Sequence, residues 1–272
     1  MSHGNYATII KTYRWDELCA KHDDLLKDGE TVVFRGHKNQ KWDLLTSLDR
    51  FSRLKKCDIQ EIENNFLSEF QRRYHNYSST IPEIDYRIAW WALMQHYGTP
   101  TRLLDFTYSF YVALFFALED LDSKGNAAVW AIKAKSLDDN LRLRHFQLWK
   151  NIKDDQYLED EKNFEEFNSR SIVIRMNPFL LHERLSVQQG CFLVSGNISQ
   201  PFIENLIKLY GSEKQLKRYL FKFEIINKGN FRKEILEDLY RMNISHASLF
   251  PGLSGFAASL KTIAYAVPRE LV

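Results

Sequence analysis

An apolar run that follows directly after a dense polar segment constrains the fold of this chain more than any other feature. The run is residues 111–118, YVALFFAL. A helix through it has apolar residues on every face, so it is stable only inside a core. The preceding residues 95–107, QHYGTPTRLLDFT, combine amide, imidazole, guanidinium, carboxylate and hydroxyl groups. Polar groups anchored beside a buried helix are held in fixed positions. Residues 95–107, called the corner below, are therefore a candidate functional site.

Helix signals flank the corner on both sides. Residues 86–97 combine good helix formers with apolar side chains on most faces, which predicts a largely buried helix. Gly98 suits the left-handed position just past the end of that helix. A second helix is predicted from residue 108 to residue 119, with Asp105 or Thr107 as its cap. The segment between the two helices is therefore expected to be a short, rigid connection.

The composition is that of a globular protein. At 272 residues, of which 44% are hydrophobic, the chain can bury one large core or two modest ones. Its mean hydropathy is −0.39, and it has no apolar run of about 18 residues, so we expect a soluble protein that does not span a membrane. No secretion signal is visible at the N-terminus. Cys19, Cys57 and Cys191 are odd in number and far apart, which indicates a reducing compartment and a cytoplasmic location.

The charge pattern does not by itself predict a partner. The net charge of +2 is too small to indicate nucleic-acid binding. Two basic stretches stand out, residues 50–56 (RFSRLKK) and residues 214–222 (KQLKRYLFK). Charge runs usually form solvated faces, and that interpretation is favoured for both stretches.

Strand and helix signals mix without a regular βαβ rhythm or an internal repeat. Strands are predicted, from β-branched and aromatic content between turn residues, at residues 31–35, 127–133, 171–176, 191–194 and 219–226. Helices outside the corner are predicted at residues 15–26, 59–77, 201–210, 231–242 and 254–266. Together they predict the α+β class, as one compact domain with a mixed or split β-sheet flanked by helices.

The domain is expected to cover residues 15–272. Residues 1–14 are expected to be a disordered leader. Residues 137–170 form the most polar part of the chain, and they predict a helical insert or lid that is more mobile than its flanks.

Several common chemistries lack their motifs. The patterns Gly-x-Gly-x-x-Gly, Walker A, His-Glu-x-x-His and Gly-x-Ser-x-Gly do not occur. The eight histidines are dispersed, and no Cys/His cluster has metal-ligand spacing. We therefore expect neither a metal site nor dinucleotide-dependent redox chemistry.

The residues themselves offer two candidate binding elements. Arg35 stands at the end of a predicted strand, where its planar guanidinium can take a phosphate through two hydrogen bonds or pair with a structural carboxylate. Gly36 lets another group approach the backbone closely. Gln188 and Gln189 precede a glycine and a strand, where they can bind a polar ligand or satisfy backbone groups of a turn.

Five segments carry a family resemblance. They are FRG at residues 34–36, WDLLTSLDRF at residues 42–51, QHYGTPTRLLDFT at residues 95–107, QQGCF at residues 188–192 and LFPGLSGFAASL at residues 249–260. These segments resemble the FRG domain over about residues 15–260, and the third of them is the most specific. The family resembles, more distantly, the ADP-ribosyltransferase-like folds, so a fold of that kind is implied.

The resemblance implies an ADP-ribosyltransferase or an NAD-cleaving enzyme, with NAD as the substrate and no metal. Breaking the nicotinamide–ribose bond passes through a cationic state, which an active site stabilises with fixed electrostatic contacts. Such a site needs cations for the pyrophosphate, an aromatic ring for stacking, and a group that stabilises positive charge near the ribose. The candidates are Arg35 and Arg102 for the first role, Tyr97, Phe106 or Tyr108 for the second, and Asp105 or Gln189 for the third.

The resemblance to the transferases is incomplete at one of its three motif positions. Arg35 fits the first position, and Thr107, ahead of the apolar helix, fits the second loosely. The third position is normally a strand-borne Glu, and Gln188-Gln189-Gly190 stands in its place. An amide does not offer the charge of a carboxylate. The predicted catalytic residues are Arg35, His96, Arg102, Asp105 and Gln189, and the predicted ligand-binding residues are Arg35, Gly36, Gln95, Tyr97, Thr101, Thr107 and Gln188.

Two other functions remain open. A nucleotide- or nucleic-acid-binding module would use the same pocket without chemistry, and the uncharged Gln189 suits such a module. A metal-independent nuclease would use His96 with Arg102, which are suitable residue types for phosphodiester chemistry. The expected partners are accordingly a nucleotide ligand and either a nucleic-acid or a protein acceptor.

Overall fold

The computed structural model describes residues 6–121, 125–152, 161–177 and 183–266, and these residues form a mixed α+β fold around one seven-stranded sheet. The strands are β1 (Thr8–Thr12), β2 (Val32–His37), β3 (Leu103–Thr107), β4 (Ala127–Lys133), β5 (Val173–Met176), β6 (Gly190–Ser195) and β7 (Leu220–Ile225). Their order across the sheet is β1-β7-β4-β2-β3-β6-β5. Only the β1–β7 pair is parallel, and the other five pairs are antiparallel.

Helices flank the sheet. In the first half of the chain they are α1 (Trp15–Leu26), α2 (Ser47–Lys55), α3 (Ile59–Tyr74), α4 (Arg87–His96) and α5 (Phe110–Leu118). The next group is α6 (Ala134–Arg144), α7 (Phe146–Ile152), α8 (Glu161–Ser169) and α9 (Glu183–Val187). The last group is α10 (Phe202–Tyr210), α11 (Glu213–Leu216), α12 (Phe231–Arg241), α13 (His246–Leu249) and α14 (Leu253–Ala266). None of the described helices is both long and apolar enough to cross a membrane.

The sheet is split between β2 and β3. Their ladder consists of a single register pair, Phe34 with Thr107. By contrast, β2 pairs with β4 along all six of its residues, and β3 pairs with β6 along all five of its residues. The two halves of the sheet therefore separate beyond Phe34, and the candidate site lies in the opening between them.

The apolar run forms the buried helix α5, which packs directly on β2. Val112, Ala113, Leu114 and Phe115 are all buried, as apolar residues on every face predict. A Cβ atom added to Gly36 would lie 1.9 Å from the main-chain oxygen of Ala113. Only glycine allows this close approach of strand and helix. Gly36 also lines the cavity described below, where it was predicted to bind a ligand.

The N-terminus of α5 is capped differently from the prediction. Ser109 is the cap, and its hydroxyl accepts a hydrogen bond from the backbone N–H of Val112 at 3.3 Å. Thr107 supports the turn instead, because its hydroxyl accepts from the Ser109 N–H at 3.0 Å. Asp105 is not a cap, since it lies within a strand.

The structure contains two strands that the sequence did not predict. Strand β1 lies in residues 1–14, so the expected disordered leader is wrong for residues 8–12; residues 1–5 lie outside the described residues. Strand β3 lies where a rigid connection was expected. Its five residues are too few for a clear periodic pattern, and its pairing with β6 comes from a distant part of the chain. All five predicted strands are present, with small shifts at their ends.

The polar residues 137–170 bury more apolar surface than their charge indicates. Leu137, Leu141, Leu148, Phe164 and Phe167 are buried and belong to the core on one face of the sheet. The described part of this segment therefore contributes to the core through its aromatic and leucine side chains, although it is the most polar part of the chain. Residues 153–160 of the insert lie outside the described residues.

Candidate functional site

A cavity of about 310 Å³ lies at the opening between β2 and β3, and α4, α5 and α9 complete its walls. Its polar lining residues are Arg35, Gln95, His96, Asp105, Thr107, Arg184 and Gln188. Its apolar walls come mainly from Phe34, Phe106, Phe116, Leu185 and Phe192. The lining thus combines residues from both halves of the sheet, and no described residue of the 137–170 insert belongs to it.

Arg35 reaches across the split in the sheet. Its Nη1 atom donates to the main-chain oxygen of Asp105 at 2.7 Å and lies 3.6 Å from Asp105 Oδ2. Its Nε atom donates to Nε2 of His37 at 3.2 Å. Burial lowers the pKa of the Arg35 guanidinium, and the Asp105 carboxylate opposes that shift. The group nevertheless remains a cation, because arginine is protonated throughout the range in which proteins are stable.

His37 holds Arg35 from behind as a neutral ring. Burial and the neighbouring Arg35 charge lower the pKa of His37 to about 3. An unprotonated Nε2 is required to accept the Arg35 Nε–H, and the low pKa is consistent with that role. Sequence reasoning missed His37, although it follows the FRG motif directly.

Asp105 is fixed by a chain of hydrogen bonds that begins at α2. Gln95 Nε2 donates to Asp105 Oδ1 at 2.6 Å, and Gln95 Oε1 in turn accepts from the hydroxyl of Thr101. Thr101 is fully buried, and its main-chain oxygen accepts from Ser47 Oγ at 3.2 Å and from the Leu48 N–H at 3.1 Å. The WDLLTSLDRF segment therefore orients a carboxylate that is distant from it in sequence.

Thr101 is consequently not a ligand-binding residue of the cavity, contrary to the prediction. Its hydroxyl is used within the protein, where it fixes which end of the Gln95 amide faces Asp105. Gln95 itself lines the cavity, as predicted.

Arg102 does not reach the cavity, which corrects its predicted role. Its side chain is 1% exposed and forms a two-pronged ion pair with Glu63. It also donates to Asn168 Oδ1 at 2.6 Å and stacks over the Trp91 ring at 4.6 Å. All of these contacts are structural, so Arg102 joins α3, α4 and the end of α8 instead of binding a ligand.

Arg184 supplies the second cation of the cavity, and sequence reasoning missed it. Its guanidinium carbon lies 4.2 Å from the centre of the Phe250 ring. Burial lowers the pKa of Arg184, and Asp105 opposes the shift. Arg184 could have been found from the sequence because it stands four residues before Gln188, at the start of a short helix. Residues four apart share a helix face.

The two adjacent glutamines behave differently. Gln188 lines the cavity, and its Nε2 atom donates to the main-chain oxygen of Leu249 at 3.0 Å. Its own main-chain oxygen accepts from Thr107 Oγ1 at 2.6 Å. Gln189 adopts a left-handed conformation with φ of 48° and is exposed outside the cavity, so its predicted catalytic position is wrong. Its backbone serves the turn by accepting from the Tyr108 N–H.

The predicted aromatic residues are also separated. Phe106 lines the cavity. Tyr97 is 64% exposed and lies outside the lining, where its ring contacts that of His96. Tyr108 is held elsewhere, because its hydroxyl donates to Asn177 and accepts from Arg175. The aromatic part of the cavity lining therefore consists of phenylalanines, and neither tyrosine belongs to it.

The charges of the lining favour an anionic ligand. Arg35 and Arg184 are two cations, and Asp105 is the one carboxylate among the described residues of the lining. Within the described residues, no group of histidine, cysteine and carboxylate side chains has an arrangement that could hold a metal ion. A positively charged, aromatic-walled cavity of this kind can bind a phosphate group together with a flat ring.

Comparison with known protein families identifies residues 30–126 as an FRG domain. The resemblance inferred from the sequence motifs is thereby confirmed for this segment, which contains β2, α2, α3, α4, β3 and α5. The matched residues include Arg35, Gln95 and Asp105, whereas Arg184 and Gln188 lie outside them. No curated protein and no solved structure matches the chain significantly.

Proposed function

We propose that this chain, whose residues 30–126 match the FRG domain, binds NAD in the split of its sheet and breaks the nicotinamide–ribose bond. The observation that carries the proposal is the contact between Arg35 and Asp105 where β2 and β3 separate. It sets a cation for phosphate beside a carboxylate that can stabilise positive charge on a ribose.

The cavity supports a ligand that carries both phosphate and a ring. Within the described residues, the Nη2 atom of Arg35 has no hydrogen-bond partner, and it remains for a ligand. Arg184 offers a second guanidinium that is not ion-paired to any described carboxylate. Ligand cavities typically measure roughly 300–1,000 Å³, and the volume here is at the lower end of that range.

The proposed reaction breaks the bond between C1′ of the ribose and the nicotinamide nitrogen, and the electron pair leaves with nicotinamide. The ribosyl cation then bonds to the oxygen of water or of an acceptor hydroxyl, which loses its proton. Asp105, oriented by Gln95, stabilises the cation, and a fixed contact of this kind is worth about 3 kcal/mol in the transition state. His96 lines the same cavity and is the candidate for taking the proton.

A nucleotide-binding module without chemistry is the second candidate. It is favoured by the position of Gln188, which lines the cavity in the segment where the transferases carry a glutamate. The carboxylate present instead, Asp105, already accepts from Gln95 and lies near Arg35. These contacts would suit a carboxylate that only shapes a binding site.

Asp105→Asn tests the chemistry separately from binding, because it keeps the oxygen that accepts from Gln95 and removes the charge. We expect calorimetry to show NAD binding by both proteins, and nicotinamide release to fall about 100-fold in the variant. Asp138→Asn is the matched control, since Asp138 is also half-exposed and paired with an arginine.

Two results would change the conclusion. Binding of NAD without any nicotinamide release by the parent protein would favour the binding module. Absence of NAD binding by the parent protein would overturn both candidates for this ligand.

A further inference from the structure

In the segment from Lys38 to Lys56, which follows β2 and includes α2, the exposed charged side chains are all cations. Its six cations, Lys38, Lys41, Arg50, Arg53, Lys55 and Lys56, are all exposed. The segment also contains two acidic residues, and both are used internally. Asp43 accepts from the Tyr6 hydroxyl at 2.5 Å, and the buried Asp49 accepts from the N–H and hydroxyl of Thr46 at 2.9 Å. Among the described residues, none of the six cations forms an ion pair.

An aromatic side chain stands within this basic segment. Trp42 is 47% exposed although it is a large apolar residue. Its backbone is held in a tight turn, because its N–H donates to the Asn39 main-chain oxygen at 3.1 Å and the Lys41 N–H donates to the Asn39 side chain at 2.9 Å. An indole on a fixed backbone offers a flat face for stacking at little further cost in conformational entropy.

The basic segment adjoins the candidate site. The Trp42 ring lies 6.1 Å from the ring of His37, which contacts Arg35. The charge of Arg50 is also close enough to lower the pKa of both Arg35 and His37. On α2 itself, Arg50 and Arg53 are three residues apart and therefore share a face.

We propose that this basic loop–helix surface, formed by the six cations and Trp42, binds single-stranded nucleic acid beside the cavity. Unpaired cations neutralise backbone phosphates, and an exposed indole stacks on a base that is not paired in a duplex. The combination fits a single strand, because its repeated phosphates match a series of cations and its unpaired bases offer flat faces to the exposed indole. The proposal goes beyond nucleotide turnover and does not depend on it.

Fluorescence anisotropy with a labelled single-stranded oligonucleotide tests the proposal. A length of about 20 nucleotides exceeds the usual binding site of a single-strand-binding domain. We expect binding that weakens as salt is raised from about 50 to about 200 mM. The triple variant Lys41→Ala, Arg53→Ala, Lys56→Ala should lower the slope of log affinity against log salt by about 2, since each single-strand phosphate contact contributes about 0.7.

A matched triple variant distinguishes binding by this surface from a general attraction of nucleic acid to positive charge. Lys214→Ala, Lys217→Ala, Arg218→Ala removes the same charge from the other basic stretch, and it should leave the slope unchanged. Equal weakening by the two triple variants would overturn the proposal. Binding to an acidic peptide or an anionic vesicle, with none to the oligonucleotide, would overturn it as well.

Trp42 tests the stacking contribution on its own. Trp42→Ala should weaken oligonucleotide binding about tenfold or more, whereas Trp42→Phe should restore part of it. Tyr77→Ala, at another exposed aromatic residue, should have no effect. The triple variant at Lys41, Arg53 and Lys56 should still bind NAD, so loss of nucleic-acid binding and loss of the proposed nucleotide site are distinguishable.

Discussion

The Nη1 atom of Arg35 lies 2.7 Å from the main-chain oxygen of Asp105, directly after the one residue pair that joins β2 to β3. A side chain thus takes over the strand-to-strand contact at the point where the backbone ladder stops. The guanidinium is held there by His37 on its other side. This arrangement keeps the two halves of the sheet connected while leaving space between them for a ligand.

Arg184→Ala should weaken NAD binding while leaving the fold intact. The guanidinium lies over the Phe250 ring and lines the cavity, and a charged hydrogen bond to phosphate contributes roughly 1.5–3 kcal/mol. We therefore expect calorimetry to show a rise in Kd of about tenfold or more. Arg170→Ala, which removes a half-exposed arginine paired with Glu166, is the control and should bind as the parent does. Unchanged affinity in the Arg184 variant would remove it from the site.

Arg102→Ala should destabilise the protein strongly. The substitution leaves Glu63 as a buried charge without its partner, which typically costs about 3–5 kcal/mol. Urea unfolding measures the loss. Arg72→Ala breaks an exposed pair with Glu69 and should cost less than about 1 kcal/mol. A loss as small as that of the control would show that the Arg102–Glu63 pair is not buried in solution.

Gly36→Ala should disrupt the packing of α5 on β2. The added Cβ would lie 1.9 Å from the Ala113 oxygen, which is a backbone atom and cannot rotate away. Overpacking of this kind costs about 1–3 kcal/mol or more. Gly98→Ala is the comparison, because no atom lies within 4 Å of the added Cβ. Its only cost is that of placing alanine in the left-handed conformation, which is roughly 1–2 kcal/mol. Urea unfolding of Gly36→Ala with no loss would contradict the close approach.

His37 should make the folded state sensitive to acid. Its pKa falls from 6.5 in the unfolded chain to about 3 in the fold, so the unfolded chain binds the proton first. Its contribution to stability is therefore full above pH 6.5 and is lost as the pH falls towards 3. Between pH 7 and pH 5 the free energy of unfolding should drop by about 2 kcal/mol from this group.

Substitution of His37 isolates that effect. His37→Gln should flatten the dependence of the unfolding free energy on pH between 5 and 7, measured by urea titration at each pH. His75→Gln, at an exposed histidine, should leave the dependence as it is in the parent. Identical pH profiles for the parent and the His37 variant would show that the fold does not lower the pKa of this ring.

The elements that were predicted well are those whose own residues determine them. Strand β4 and helix α1 have the predicted bounds, because the first is a continuous apolar run between turns and the second has helical spacing. Strand β3 was missed because its partner β6 lies far along the chain. Strand β1 was missed for the same reason, since its partner β7 also lies far along the chain.

The site residues that belong to a sequence motif were predicted correctly where the motif determines their place in the fold. The direction in which a side chain points could not be predicted where it depends on a partner from a distant element. Arg35, Gln95 and Asp105 converge as the motifs indicated. Arg102 and Arg184 have the same side chain, and the sequence does not show which of them faces the cavity. Arg102 has a structural role because the buried Glu63 pairs with it. Such a partner is set by the packing of α3 against the sheet, which no local spacing specifies.

Because β2 and β3 separate, the sheet has two strand edges in its interior in addition to its outer edges at β1 and β5. Beyond the pair Phe34–Thr107, the facing N–H and C=O groups of β2 and β3 have no ladder to join. The cavity lies between these two strand edges, because Arg35 and Gly36 of β2 and Asp105 and Phe106 of β3 all line it. A ligand in the cavity can hydrogen-bond to this peptide backbone, and replacement of side chains by alanine would leave that part of its recognition in place.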